Sequence, residues 1–176
     1  MGRVLAWLRG CLPRLVLTAG TLPIFSRGSK ERVHLSVESV VVYALGKAKE
    51  GLTLLRLQLI LFLADFELAR KGLPRLGVDW KLSCGLPVSD ELRRLTEDLA
   101  ASGILIRSGE DAMTFLASPA FRGRNLMLPK KVRGVLDKMV SSYGDPTRAS
   151  KLLHKIQRVI PAAIELGIVS PPTIRG

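Results

Sequence analysis

The sequence is poor in the residues from which reactive sites and covalent frameworks are built. Among 176 residues it has two cysteines, Cys11 and Cys84, and two histidines, His34 and His154. Two cysteines can pair only once, so they make neither a disulfide framework nor a metal set, and buried or free thiols in a reducing cytoplasm are the expectation. Neither histidine is joined by a second His or a Cys at ligand spacing, so no metal and no cofactor is expected. Gly20, Gly28 and Gly46 stand alone, with no Lys-Ser/Thr after them, which excludes a glycine-rich phosphate loop. Aromatic residues are only 5% of the chain, which leaves the core to Leu, Val, Ile and Ala. Amides are scarcer still: Asn125 is the only Asn, and Gln58 and Gln157 are the only Gln. Few thermolabile amides beside many Arg and Lys is a bias seen in thermophile proteins.

Acidic residues are also short. The chain holds 27 Lys and Arg against 15 Asp and Glu, for a net charge of +12. That excess is uneven: residues 1–33 carry +5, residues 34–121 carry −1, and residues 122–176 carry +8. A near-neutral middle between two basic ends favours an acidic partner, whether protein, nucleic acid or an anionic membrane. Long hydrophobic runs are missing from the first thirty residues. The longest uncharged stretch there is Leu15 to Ser26, short of the roughly 20 residues a bilayer span needs. Three readings of residues 1–33 stand side by side: a poorly ordered leader, an unused upstream start, or a basic amphipathic helix. In the last, Val4, Leu8, Cys11 and Leu15 share a face away from Arg3, Arg9 and Arg14.

What is present is a succession of helical stripes. Val37, Val40, Val41, Ala44, Leu45 and Ala48 follow one helix face, with Gly51 where a C-cap belongs. Thr53 can cap a second helix from Leu54 to about Lys71, ended by Gly72 and Pro74. It is apolar nearly all round and belongs at the centre of a bundle. Arg56, Gln58, Asp65 and Glu67 punctuate it and argue against a membrane span. A loop with Gly77, Trp80, Cys84, Gly85 and Pro87 is expected next, then a helix capped by Ser89 and ended by Gly103. Ile104–Ile106 and Ala112–Leu116 read as a hairpin, and a helix running into a hairpin is the outline of a winged helix. Pro129 suits the first turn of a helix whose stripe is Val132, Val135, Leu136, Met139, Val140 and Tyr143, closed by Gly144. Thr147 is the expected cap of a last helix that runs to about Arg158 before Pro161.

Three segments, in order, resemble the Panacea family found in toxin–antitoxin loci and among phage-associated proteins. The first is Arg56-Leu57-Gln58 followed by an apolar run through Phe62 and an Ala64-Asp65 ending. The second is Gly85-Leu86-Pro87-Val88-Ser89, similar to the Gly-Pro-Val-Ser turn before a helix in that family. The third is Tyr143-Gly144 with the Ser150 to Leu153 start after it. Together they span roughly residues 35 to 160. Leu86 splits the Gly-Pro pair, and the aromatic-rich segment near the end of such domains is missing. The resemblance implies a non-catalytic protein that neutralises a partner, such as a toxin, by direct binding.

No catalytic set emerges from the remaining residues. Cys84 has no partner base in its loop. Asp65 and Glu67 lie about 200° apart around their helix and cannot act as a carboxylate pair, so Asp65 is expected to bond a neighbouring backbone group or arginine. For nucleic acid, the helix between Ser89 and Gly103 and its hairpin are net acidic, whereas a phosphate-facing surface should be basic. The better candidates for an anionic partner are Arg148, Lys151, Lys155 and Arg158, which fall within about 80° on a helical wheel, with Lys130, Lys131 and Arg133 before them. The expectation is a mainly α protein, a compact helical domain over 34–160 with one small β-hairpin. A leader (1–33) and a tail (161–176) flank it. Its expected function is protein binding, with DNA or RNA binding through the basic C-terminal helix as the alternative.

Overall fold

The computed structural model describes residues 35–109, 113–122 and 128–170. The leader, His34, Arg124, most of the hairpin turn and the last six residues lie outside them. The fold is α+β, with five helices and two three-stranded sheets among the described residues.

Helix α1, Val37–Lys47, begins at Ser36, whose hydroxyl accepts from the Ser39 N–H, and buries Val40, Val41, Ala44 and Leu45. It ends at Ala48 rather than at Gly51. Gly51, at φ +78°, instead lets the backbone pass against a strand, since a Cβ there would stand 2.7 Å from the Phe115 carbonyl oxygen. Strand β1, Leu52–Thr53, leads straight into helix α2, Leu54–Arg70, where Thr53 is the N-cap as its sequence position indicates. The helix closes on Gly72 (φ +63°), with the Leu73 N–H returning to the Leu68 carbonyl in a Schellman turn. Every residue from Leu57 to Phe66 is buried, so α2 is the central helix its apolar circumference predicts.

The stretch after α2 is where expectation and structure part. Residues 80–88 are not a loop: strand β2, Trp80–Ser83, and strand β3, Leu86–Val88, form an antiparallel hairpin around Cys84-Gly85. Both turn residues have positive φ, 50° and 76°, as a type I′ hairpin turn requires. Pro87 argues against a strand, but β3 is an edge strand, where a missing donor is tolerated. Helix α3, Asp90–Ala101, follows from its cap Ser89. Strands β4, Leu105–Ser108, and β5, Thr114–Ala117, then pair antiparallel, and β1 adds to the far side of β5. The expected single hairpin is thus the greater part of a three-stranded sheet.

Helix α4, Lys130–Tyr143, buries all six residues of its predicted stripe, with Pro129 just outside as its N-cap. Asp145, not Thr147, caps the next turn. Its carboxylate takes the Thr147 N–H at 2.8 Å and starts a 3₁₀ turn over Pro146–Arg148. Helix α5, Ala149–Glu165, does not stop before Pro161 but runs through it. The ring lies on the exposed side, while Ile156, Val159 and Ala163 hold the helix to the core on either side of it. Strand β6, Val169–Ser170, then pairs parallel to β2 and completes the second sheet, β3-β2-β6. Residues 161–170, expected as tail, therefore belong to the fold, and Ile168 and Val169 are buried.

Candidate functional site

The polar residues of α2 reach three other segments. At its first turn the Arg56 guanidinium donates to the Gly144 carbonyl at 3.4 Å and the Pro146 carbonyl at 3.2 Å. The Gly144 carbonyl stands at the C-terminus of α4, where a cation is favoured, and the Pro146 carbonyl lies in the 3₁₀ turn beyond, where it also takes the Ala149 N–H. Close by, buried Gln58 donates through Nε2 to the Ser89 carbonyl at 2.9 Å, which ties the β3–α3 junction to the core. Asp65, fully buried, accepts from the Leu76 N–H (2.8 Å), Trp80 Nε1 (3.0 Å) and the Arg75 guanidinium (3.1 Å). Leu57 and Phe62 are core residues, and Phe62 meets the Trp80 ring edge-on at 5.5 Å. Gly85 forms the hairpin turn, Pro87 and Tyr143 are buried, and the Gly144 N–H closes α4 on the Val140 carbonyl.

Arg56, Gln58 and Asp65 thus join α2 to the Tyr143-Gly144 corner, to the Gly85–Ser89 segment and to the loop between α2 and β2. All three act as parts of the scaffold. The expected bonding of Asp65 to backbone and arginine is found, although Trp80 as third partner was not foreseen. An isolated acid on an apolar helix signals a buried partner, but the sequence does not say which one.

The basic residues are dispersed over two helices. On α5, Lys151 and Arg158 are exposed and Lys155 half-exposed, opposite the buried Leu152, Ile156 and Val159. None of the three is in an ion pair among the described residues. Arg148 differs, because its guanidinium donates to the Ser141 and Ser142 carbonyls at 3.1 and 3.3 Å and so closes α4. On α4, Lys130 and Lys131 are exposed. Arg133 is half-buried; burial and Asp137 raise the pKa of Tyr43 on α1, and the charge of Arg133 opposes them only weakly.

A cleft of about 480 Å³ opens between the ends of α1 and α4. Its charged walls balance: Lys47, Lys49 and Arg148 stand against Glu50, Asp137 and Asp145. Most are already engaged. Asp137 accepts from the Tyr43 hydroxyl at 2.8 Å and lies 3.7 Å from Lys47. The Asp145 carboxyl is held below its ordinary range, chiefly by its bond from the Thr147 hydroxyl. A second, shallower cleft of about 380 Å³ is lined by Lys71, Leu73, Lys131, Gly134 and Val135, where α2 ends beside the start of α4.

No family model matches the chain, and no match is found among curated proteins or solved structures. Among the described residues no helix is long and apolar enough to cross a membrane.

Proposed function

We propose that the chain is a non-catalytic protein-binding module of Panacea type that neutralises or masks an acidic partner protein in the cytoplasm. The observation that carries this reading is the bonding of Arg56, Gln58 and Asp65. Arg56 and Gln58 tie the first of the three segments on which the resemblance rests to the other two, and Asp65 ties it to the loop and strand that follow α2. Work is then left to the outer surface. The element order supports the same reading. Helix α1, strand β1, helices α2 and α3 and the β4–β5 hairpin, with sheet order β1-β5-β4, follow the plan of a winged helix. The β2–β3 hairpin is an insertion in it.

Helix α3 stands where such a fold presents its recognition helix, yet its exposed residues include Asp90, Glu91, Glu97 and Asp98 against Arg93 and Arg94. Arg93 is further tied to Asp90 at 3.4 Å. That face is net acidic and repels phosphate, which argues against a nucleic-acid contact through α3. The test is to express the product of the neighbouring gene alone and together with this chain. Growth arrest relieved by co-expression, with the two proteins co-purifying after nuclease treatment, is the expected result. Co-expression that alters neither growth nor solubility overturns the antitoxin role.

A second reading, a DNA- or RNA-binding regulator, is favoured by one observation: the outer face of α5 carries Lys151, Lys155 and Arg158 with no acid on the helix before Glu165.

A further inference from the structure

The α2 C-terminus and the α4 N-terminus meet because the two helices pack antiparallel, as the Arg56–Gly144 bond at the opposite end shows. Lys71 and Lys131, sixty positions apart in sequence, therefore line one cleft of about 380 Å³ with Leu73, Gly134 and Val135 as its other walls. Both lysines are exposed, and like charges on one cleft repel each other unless a counter-charge lies near. The carboxylates of this end of α2 are committed elsewhere: Glu67 pairs with Arg70 at 3.0 Å and Asp65 with Arg75 at 3.1 Å. Among the described residues neither Lys71 nor Lys131 is in an ion pair. The first turn of α4, with no acid and no side-chain cap, turns its N–H groups to this end, while the C-terminus of α2 sets an opposing partial charge beside Lys71.

We propose that this cleft binds the phosphate group of an anionic ligand, held between Lys71 and Lys131 above the apolar floor of Leu73 and Val135. Its size falls in the range of small-ligand sites, roughly 300–1,000 Å³, and its floor suits the apolar part of a nucleotide or nucleoside unit. The site shares Lys131 with the basic residues singled out for an anionic partner and uses none of the α5 stripe. A phosphate of this kind has two sources, a nucleic-acid backbone or a free phosphate compound.

Gly134 supplies a clean probe. It is an exposed helical residue, and a Cβ built there meets no atom within 4 Å, so Gly134→Glu puts a carboxylate at the cleft without crowding the fold. Full-length protein is titrated with inorganic pyrophosphate and, separately, with a mixed-sequence DNA duplex at low salt. Lys71→Glu, Lys131→Glu and Gly134→Glu are each expected to weaken pyrophosphate binding about tenfold or more, because each sets like charge against the ligand. Lys138→Glu, the same charge change elsewhere on α4, is expected to leave it unchanged. If the duplex responds in the same way the source is a nucleic acid, and if only pyrophosphate does it is a free phosphate compound. No binding of either probe, or an equal loss in Lys138→Glu, overturns the proposal. Unchanged circular dichroism in Gly134→Glu separates loss of the site from loss of the fold.

Discussion

Asp65 is a carboxylate with no exposed surface, surrounded by three donors, Arg75 and Leu76 from the loop after its helix and Trp80 from the start of β2. Removing it leaves the Leu76 N–H and Trp80 Nε1 buried without an acceptor and Arg75 without its counter-ion. Asp65→Ala is accordingly expected to destabilise the fold by about 3 kcal/mol, the size measured when one partner of a buried pair is deleted. Asp65→Asn, which keeps one acceptor oxygen, should cost about half as much. Urea unfolding of the two variants checks both values. Tyr43 offers a pH test. Partial burial, then its hydrogen bond to Asp137 and the charge of that residue, push its pKa from 10.0 to about 12, against a smaller opposing pull from Arg133. The raised value means that the folded state favours the neutral phenol. Its contribution to stability is complete below pH 10.0 and is lost as the pH rises through about 12. A phenolate absorbance titration should show this late transition, and Asp137→Asn should move it to lower pH. An unmoved transition would contradict the assignment. At this scale the sequence marked Asp65, Arg56 and Gln58 as unusual on an apolar helix. It did not reveal their partners, because hydrogen bonds across 10 to 90 positions depend on how the elements pack.

The elements obey local rules wherever their ends are set by local bonds. Thr53 and Ser89 cap helices because a hydroxyl three residues before a free N–H can reach it in any surroundings. Thr147 lost that role to Asp145, a neighbour whose carboxylate accepts from both the Thr147 N–H and its hydroxyl. The β2–β3 hairpin is hard to see in the sequence because Cys-Gly is an uncommon type I′ pair and a proline marks its edge strand. Cys84, at φ 50°, carries the strain that an Asn tolerates better. Cys84→Asn should therefore stabilise the protein by roughly 0.5 kcal/mol, read from the shift in urea midpoint. Gly51→Ala has the opposite sign. It combines positive φ with a Cβ 2.7 Å from the Phe115 carbonyl oxygen, and a loss of about 2 kcal/mol or more is expected.

At the scale of the molecule, charge is separated between helices. The exposed face of α3 is net acidic, and the outer face of α5 is basic over Lys151, Lys155 and Arg158. If α5 is a nucleic-acid surface, neutralising three phosphates gives a log–log salt slope of about −2.7. Reversing the three residues to Glu should abolish duplex binding with the fold retained. Binding that survives the reversal excludes the α5 reading and leaves the phosphate cleft and the protein-binding surface to be tested separately. Arg148 belongs less to that surface than its helical-wheel position suggests, since two α4 carbonyls already take its donors.

The sequence by itself determined the five helical stripes, the central place of α2, two of the N-caps and the uneven charge. Each follows from side-chain period or from bonds within a few residues. Tertiary structure alone decided that β1 and β6 exist, that α5 passes through Pro161, and that Lys71 faces the same cleft as Lys131. A two-residue strand has too few positions to show a period, and it is held by a partner strand remote in the chain. Two like charges on different helices share a cleft only once the packing of those helices sets the distance between them.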